Sequence, residues 1–286
     1  TGADDDLVDG TVSSTTSISV VDAASDDNFD AVADQTVSVS TTDDDVAGFT
    51  IVELEGSTSV SEAGSTDTFT VVLDAQPDTN VILSIISGDT GEATVTSSLT
   101  FTSANWDTAQ SVTVTGVDDH LVDGTETSTI TVAVVDVASD DNFDTVADQT
   151  VSVSTTDDDV AGFTIVELGG STAVDESGTT DTFTVVLNAQ PDSDVVVAIT
   201  SSDNGEASSN SPLTFTSSNW DTPQTVTVTG VDDFLIDGTI TSDLVVAIVD
   251  ASSDNNFDAV ADQTVSVSTT DDDAAGFTVT ETGGST

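Results

Sequence analysis

The sequence predicts an all-β protein made of antiparallel β-sandwiches, and three observations support this fold class. Apolar and polar residues alternate in short runs; Phe69, Val71 and Leu73 are spaced as on the buried face of a strand. Pairs that favour turns, such as Asp123-Gly124, separate these runs. No run shows the 3.6-residue period of an amphipathic helix. Strands are therefore expected throughout the chain.

Seven runs are predicted to be strands in the stretch that begins at Ala47. They are Gly48–Leu54, Asp67–Leu73, Asn80–Ser87, Ser98–Thr102, Gln110–Thr115, Ser128–Val135 and Gln149–Thr155. Seven short strands in roughly 110 residues are typical of an immunoglobulin-like sandwich. The chain is thus predicted to form tandem seven-stranded immunoglobulin-like antiparallel β-sandwiches in an elongated array.

The chain repeats itself with a period of 114 residues, because Thr-Gly-Ala-Asp-Asp at Thr1 returns as Thr-Gly-Val-Asp-Asp at Thr115 and Thr229. Such a period corresponds to a whole domain rather than to one turn of a solenoid. We expect residues 1–46 to be the C-terminal part of a preceding repeat and residues 275–286 to be the first strand of a following one. Residues 47–160 and 161–274 are then two complete repeats of a longer array.

The composition is extremely acidic, with 54 Asp and Glu residues, no Lys or Arg, and a formal net charge of −54. Binding to nucleic acid or to an anionic membrane needs clustered cations and is excluded. Without Lys or Arg the acidic residues have to be neutralised by protons, by screening salt or by bound metal. The absence of Cys excludes disulfides as the stabilising device.

Four acidic segments of each repeat are expected to meet at one end of the sandwich. If successive strands alternate in direction, the loops after strands one, three and five lie at the same end as the terminus of strand seven. In residues 47–160 these segments contain Glu62, Asp89 with Glu92, Asp118 with Asp119 and Asp123, and the triplet Asp157, Asp158 and Asp159. Ca²⁺ takes six to eight oxygen ligands, so we predict calcium binding at each tip, where the number of carboxylates leaves room for two or more ions. The alternative is an acidic rim that is merely solvated.

Part of the same set is present in the first 46 residues. It comprises Asp4, Asp5, Asp9, Asp43, Asp44 and Asp45. No EF-hand pattern is present, because no Asp-x-Asp-x-Asp-Gly is followed by the required Glu.

Three segments resemble the Calx-β domain family, and the resemblance extends over the whole chain. They read Asp-Asp-Asp-Val-Ala-Gly-Phe-Thr-Ile-Val-Glu, Val-Asp-Asp-His-Leu-Val-Asp-Gly-Thr and Ser-Glu-Ala-Gly-Ser-Thr-Asp-Thr-Phe-Thr-Val-Val-Leu. The family includes the regulatory calcium-binding domains of sodium–calcium exchangers and tandem repeats of large bacterial surface proteins. The resemblance implies a calcium-binding sandwich.

The resemblance also implies which residues bind calcium. In residues 47–160 they are Glu62, Asp89, Asp118, Asp119, Asp123, Asp157, Asp158 and Asp159. In residues 161–274 they are Glu176, Asp203, Asp232, Asp233, Asp237, Asp271, Asp272 and Asp273. Asp123 and Asp237 depart from the family, which often has Glu there. Glu92 is the alternative to Asp89 in the same loop.

A second acidic loop, Ser253–Asp258, is expected at the opposite end of the sandwich. It recurs at Ser25–Asp30 and Ser139–Asp144. Two interpretations remain open. Asp254 and Asp258 could contribute ligands to a neighbouring calcium tip, or the loop could be an Asx turn held by Phe257.

Catalysis is not expected from this sequence. The only His is His120, and Asp6 and Phe234 stand at the equivalent positions. No nucleophile and base pair can therefore recur in every repeat. Trp106 and Trp220 are interpreted as anchors of the sandwich core rather than as sugar-stacking residues.

The predicted function is that of a structural spacer, rigidified by calcium, in a secreted or cell-surface bacterial protein such as an adhesin stalk or an extracellular fibre. Its expected partners are calcium ions, adjacent repeats and like chains in a filament, with no nucleic acid and no membrane insertion. A calcium-dependent module that recognises glycans or neighbouring cells is the main alternative. A calcium sensor is a third.

Overall fold

The computed structural model describes residues 2–280 and 282–283. The chain forms two compact units. Unit 1 comprises Thr1–Asp119 and Thr125–Asp157, and unit 2 comprises His120–Gly124 and Asp158–Thr286. In the described part of the chain, no helix is long and apolar enough to cross a membrane.

Unit 1 begins with an antiparallel pair, β1 (Val12–Ile18) and β2 (Gln35–Thr41). The valines of β2 are largely exposed, Val37 at 49% and Val39 at 44%. Strand Gln149–Thr156 has the same residues at equivalent positions, and there Val151 and Val153 are 2% and 0% exposed. Among the described residues, a second sheet packs against the strand Gln149–Thr156, and none packs against β2.

The rest of unit 1 is a β-sandwich of nine strands. They are β3 (Phe49–Glu53), β4 (Thr58–Ser61), β5 (Thr66–Leu73), β6 (Val81–Ser87), β7 (Ala93–Val95), β8 (Ser98–Phe101), β9 (Gln110–Gly116), β10 (Thr125–Val134) and β11 (Gln149–Thr156). One sheet has the order β4-β11-β10-β6-β8 and the other β3-β5-β9-β7. All pairs are antiparallel except β4 with β11.

Unit 2 has the same architecture. Its strands are β12 (Phe163–Glu167), β13 (Thr172–Asp175), β14 (Thr180–Leu187), β15 (Val195–Ser201), β16 (Ala207–Ser209), β17 (Leu213–Phe215), β18 (Gln224–Gly230), β19 (Thr239–Ile248) and β20 (Gln263–Thr270). The sheets have the orders β13-β20-β19-β15-β17 and β12-β14-β18-β16. Each sheet buries one face, as the alternating pattern predicts.

Short 3₁₀ turns occupy the loops and take no part in either sheet. They are Asp22–Ala24, Asp27–Phe29, Leu54–Gly56, Asp136–Ala138, Asp141–Phe143, Asp250–Ser252 and Asn255–Phe257.

The predicted all-β sandwich class is confirmed, and each of the seven predicted runs contains a strand. Two short strands, β4 and β7, are additional. β4 arises because Glu55 and Gly56 adopt positive φ angles of 69° and 86°, which turn the chain from one sheet into the other. β7 is an edge strand of three residues that pairs only with β9.

The described core of each sandwich contains four buried phenylalanines. In unit 2 they are Phe163, Phe183, Phe215 and Phe257. Trp220 is partly buried against this core, which agrees with its interpretation as an anchor. The predicted strand at residues 275–286 lies partly outside the described residues. Residues 275–280 form no strand, since among the described residues they lack the partner that β5 gives to β3.

Candidate metal site

Four loops of unit 2 bring carboxylates together at one end of its sandwich. Glu176 follows β13, Glu206 precedes β16, Asp233 and Asp237 lie between β18 and β19, and Asp273 follows β20. Their oxygen atoms form two overlapping groups of three. In each group, one oxygen from each residue lies within 4.8 Å of the others, and Glu176 belongs to both groups.

A close backbone approach allows these loops to converge. A Cβ atom added at Gly230 would lie 2.0 Å from the carbonyl oxygen of Asp175, so only glycine fits there. Asp175 directly precedes Glu176, and Gly230 ends the strand that leads to Asp233. The glycine therefore controls how closely the Glu176 loop approaches the loop between β18 and β19.

The central carboxylate is buried without a hydrogen-bond donor. Glu176 is 1% exposed, and neither of its side-chain oxygens has a hydrogen-bond partner among the described residues. The same is true of Oε2 of Glu206, which is 5% exposed, and of Oδ2 of Asp273. Buried carboxylates are normally hydrogen-bonded, paired with a cation or bound to metal. These acidic groups could therefore hold a metal ion.

The local electrostatics favour protonation of this cluster when no cation is bound. Burial raises the pKa of Glu176 to about 7, and the charges of Asp271, Asp233, Asp237 and Glu206 add to the effect. Burial also raises the pKa of Glu206, with Asp237 as the next cause.

The first aspartate of the triplet has a different environment from the third. The backbone N–H groups of Gly238 and Asp273 donate to the carboxylate of Asp271 at 2.9 Å and 2.7 Å. These hydrogen bonds lower the pKa of Asp271. Burial, followed by the charge of Asp271, raises the pKa of Asp273. Asp271 is thus a fixed anion that orders the loop around it.

The leading part of unit 1 repeats this arrangement. Asp43 accepts hydrogen bonds from the backbone N–H groups of Asp45 and Gly10, both at 2.8 Å, and these lower its pKa. Burial raises the pKa values of Asp45 and Asp9. A cavity of about 220 Å³ is lined by the acidic residues predicted there, namely Asp4, Asp5, Asp9, Asp43, Asp44 and Asp45.

Not every predicted ligand joins the two groups of three. Asp203 is exposed, and its Oδ1 accepts a hydrogen bond from the N–H of Gly205 at 2.9 Å. Glu206 reaches the cluster from the same loop. The side chains of Asp232 and Asp272 are exposed. Glu206 is absent from the predicted set for residues 161–274, although the sequence shows it three residues after Asp203.

The corresponding acids of the first complete repeat are divided between the two units. Glu62, Asp89, Asp118, Asp119 and Asp157 belong to unit 1, whereas Asp123, Asp158 and Asp159 belong to unit 2. Within unit 1, the side chains of Glu62 and Glu92 are buried, like Glu176 and Glu206. Asp89 is exposed and accepts a hydrogen bond from the N–H of Gly91 at 2.9 Å, as Asp203 does from Gly205.

The acidic loop Ser253–Asp258 has the geometry of an Asx turn. Asp254 is buried; its Oδ1 accepts from the N–H of Asn256 and its Oδ2 from the N–H of Ser193, both at 2.9 Å. Phe257 holds the loop against the core. Both oxygens of Asp254 are therefore engaged within unit 2, which favours the turn over the ligand interpretation.

Comparison with known proteins gives structural neighbours only. No family model and no curated protein matches the chain. Among solved structures, the CBD12 fragment of CALX1.2 is 14% identical, with 69% of this chain and 79% of that chain covered and a TM-score of 0.29. The apo-form Calx CBD1 domain is also 14% identical, with 39% and 98% covered and a TM-score of 0.29.

A surface-layer protein is also similar. Domains 4–9 of SbsC are 21% identical, with 83% of this chain and 33% of that chain covered and a TM-score of 0.28. At these identities and TM-scores the neighbours add nothing to the fold described above.

Proposed function

We propose that this chain is a structural spacer of a secreted or cell-surface bacterial protein, and that Ca²⁺ bound at its acidic tips makes it rigid. The main support is the carboxylate of Glu176, buried among other acids with no hydrogen-bond donor to either oxygen among the described residues. A cation would neutralise this charge. The proposed role involves no catalysis.

Calcium is the cation that fits the ligands present. Glu176, Glu206, Asp233, Asp237 and Asp273 offer only carboxylate oxygens, which suit a hard cation that accepts six to eight oxygens in flexible geometry. Softer metals prefer imidazole or thiolate, and unit 2 has no Cys and only His120. The ion would supply positive charge where the side chains supply none.

The proposed mechanism is electrostatic. Without a cation, repulsion among the clustered carboxylates opposes the approach of the four loops. A bound Ca²⁺ removes that repulsion and ties the loops together. Extracellular modules bind calcium at about 10⁻⁴–10⁻³ M, so a spacer of this kind would be rigid outside the cell.

The repeat pattern supports a spacer rather than a sensor or a module with a single recognition site. Ala33–Leu54 and Ala147–Leu168 are identical, and the period has no gap. Near-identical tandem copies add length, whereas recognition of a specific target does not require them. The resemblance of the sequence to repeats of bacterial surface proteins supports the location.

Calcium titration of the full chain by isothermal calorimetry tests the proposal, with Mg²⁺ as the comparison ion. We expect saturable Ca²⁺ binding that is weakened in the Glu176→Gln variant, and a larger radius of gyration by small-angle scattering with Ca²⁺ than with chelator. If Ca²⁺ and Mg²⁺ both bound weakly, with the same affinity and without saturation, the result would contradict the calcium site. Identical scattering with Ca²⁺ and with chelator would contradict the rigidifying role.

A further inference from the structure

Unit 2 contains an Asn-Gly pair, Asn204-Gly205, in the turn between β15 and β16. Asparagine is a chemically labile residue, and it is most reactive before glycine, because glycine has no side chain to shield the backbone nitrogen that attacks the amide. No other asparagine of the chain is followed by glycine. The pair is therefore a candidate site of covalent modification.

The side chain of Asn204 is free to reach the backbone of the next residue. Asn204 and Gly205 are both exposed. The amide of Asn204 makes no hydrogen bond to another described residue. By contrast, the side-chain amide of Asn256 donates to the carbonyl oxygen of Val122 at 2.6 Å. That hydrogen bond holds Asn256 in place, whereas Asn204 can rotate towards the nitrogen of Gly205.

One hydrogen bond restrains the attacking nitrogen. The N–H of Gly205 donates to Oδ1 of Asp203 at 2.9 Å, and this bond has to break before the nitrogen can react. Because both residues are exposed, water can replace the bond at little cost when the turn opens locally. The next residue is held more firmly, since the carbonyl oxygen of Glu206 accepts from the N–H of Val231 at 2.9 Å. Opening can therefore stay confined to the turn.

We propose that Asn204 is a site of spontaneous deamidation. The backbone nitrogen of Gly205 loses its proton and bonds to Cγ of Asn204, the Cγ–Nδ2 bond breaks, and the amide nitrogen leaves with a proton as ammonia. Water then opens the resulting succinimide ring at one of its two carbonyl groups. One opening gives aspartate. The other gives isoaspartate, in which the main chain runs through Cβ and Cγ and is longer by one methylene group.

The modification would alter the tip that contains the metal cluster. Both products place a new negative charge two residues before Glu206, and isoaspartate also lengthens the turn that directs Glu206 to the interior. Isoaspartate at residue 204 should therefore displace the Glu206 carboxylate and weaken Ca²⁺ binding by unit 2. This consequence rests on the proposed function, whereas the deamidation itself requires no metal.

Unit 1 offers a matched control, because it has the same turn without the asparagine. Thr90 stands at the position of Asn204. The N–H of Gly91 donates to Oδ1 of Asp89 at 2.9 Å, as in unit 2. Asn204→Thr therefore removes the reactive pair and keeps the turn. Thr90→Asn introduces the reactive pair into the same turn of unit 1.

The test is incubation of the full-length wild type and both variants at physiological temperature and mildly alkaline pH in chelator, followed by peptide mass spectrometry. Deamidation raises the mass of a peptide by about 1 Da, and chromatography separates isoaspartate from aspartate. We expect the wild type to be modified at Asn204 and not at Asn256. Asn204→Thr should lose this modification, and Thr90→Asn should gain a second modified peptide.

An incubated wild type in which Asn204 is intact would overturn the proposal, as would equal deamidation of Asn204 and Asn256. Calorimetric titration of the incubated chains with Ca²⁺ then measures the consequence. The affinity should fall in the wild type and stay unchanged in Asn204→Thr, and an equal affinity in both would overturn the effect on the cluster. Normal calcium binding without deamidation would overturn this inference and leave the proposed function intact. Deamidation of a chain that does not bind calcium even when fresh would do the reverse.

Discussion

Glu176 and Glu206 lie in separate loops of unit 2, yet each places a carboxylate oxygen within 4.8 Å of the other's. Both side chains are buried. Like charges at this distance in a buried site repel strongly unless one is protonated or a cation lies close by. We expect this pair to make the tip of unit 2 responsive to protons and to metal ions, and the first two predictions follow from it.

Glu206 should contribute more to calcium binding than Asp203. Glu206→Gln removes a buried carboxylate of the cluster and should weaken Ca²⁺ binding by about tenfold or more. Asp203→Asn changes an exposed side chain that accepts a hydrogen bond from Gly205 and should weaken binding by less than about threefold. Calorimetric titration of both variants measures the difference. The reverse order would restore Asp203 as the ligand from this loop.

The metal-free chain should lose stability as the pH rises from 5 to 8. The pKa of Glu176 is raised from 4.5 to about 7 in the folded state, so between these values the folded state binds more protons than the unfolded state. The free energy of unfolding therefore falls as the pH rises through this window. Urea unfolding in chelator at pH 5 and pH 8 measures the change.

Glu176→Gln is the control for the pH prediction, because the amide does not titrate. The variant should show a flatter pH dependence than the wild type and should be the more stable of the two at pH 8 without metal. A wild-type chain whose stability is constant or increases between pH 5 and pH 8 would contradict the assignment.

Gly230→Ala should destabilise unit 2. The added Cβ would lie 2.0 Å from the carbonyl oxygen of Asp175, so the backbone has to move, at a cost of about 2 kcal/mol or more. Gly276→Ala is the matched control, since its Cβ would meet no atom closer than 4.0 Å and should change stability by less than about 0.5 kcal/mol. Thermal unfolding compares the two. Similar melting temperatures would show that the close approach is not required.

Asp254→Ala should destabilise unit 2 without affecting calcium binding. The change removes the acceptor for the N–H groups of Asn256 and Ser193 and should cost about 1–3 kcal/mol. Chemical unfolding measures that loss, and calorimetric titration should give an unchanged calcium affinity. A drop in affinity would revive the interpretation of this loop as a source of ligands.

Much of the fold could be predicted from the sequence because strand alternation is local. Phe69, Val71 and Leu73 alternate in sequence and are all buried in the structure. β4 and β7 could not be predicted in the same way, since four and three residues are too few to show a period. β4 also depends on the positive φ angles of Glu55 and Gly56.

The site could be predicted only in part. Glu176 and the triplet that includes Asp273 follow from the direction of the strands. The choice between Asp203 and Glu206 depends on which side chain the turn between β15 and β16 directs to the interior, and strand direction does not determine that. The opposite pKa shifts of Asp271 and Asp273 depend on which carboxylate accepts hydrogen bonds from backbone N–H groups. Almost every residue has such an N–H group, so the sequence does not show which carboxylate is the acceptor.

Two identical stretches of the chain differ in burial, so the contribution of burial to stability can be measured within one molecule. β2 and β11 share the residues of the identical stretches Ala33–Leu54 and Ala147–Leu168, and each pairs with an antiparallel neighbour. Val39 is exposed, whereas its twin Val153 is completely covered. Because β11 also pairs with β4, comparing the cost of Val39→Ala with that of Val153→Ala separates the joint contribution of tertiary packing and this second strand pairing from local propensity within one molecule.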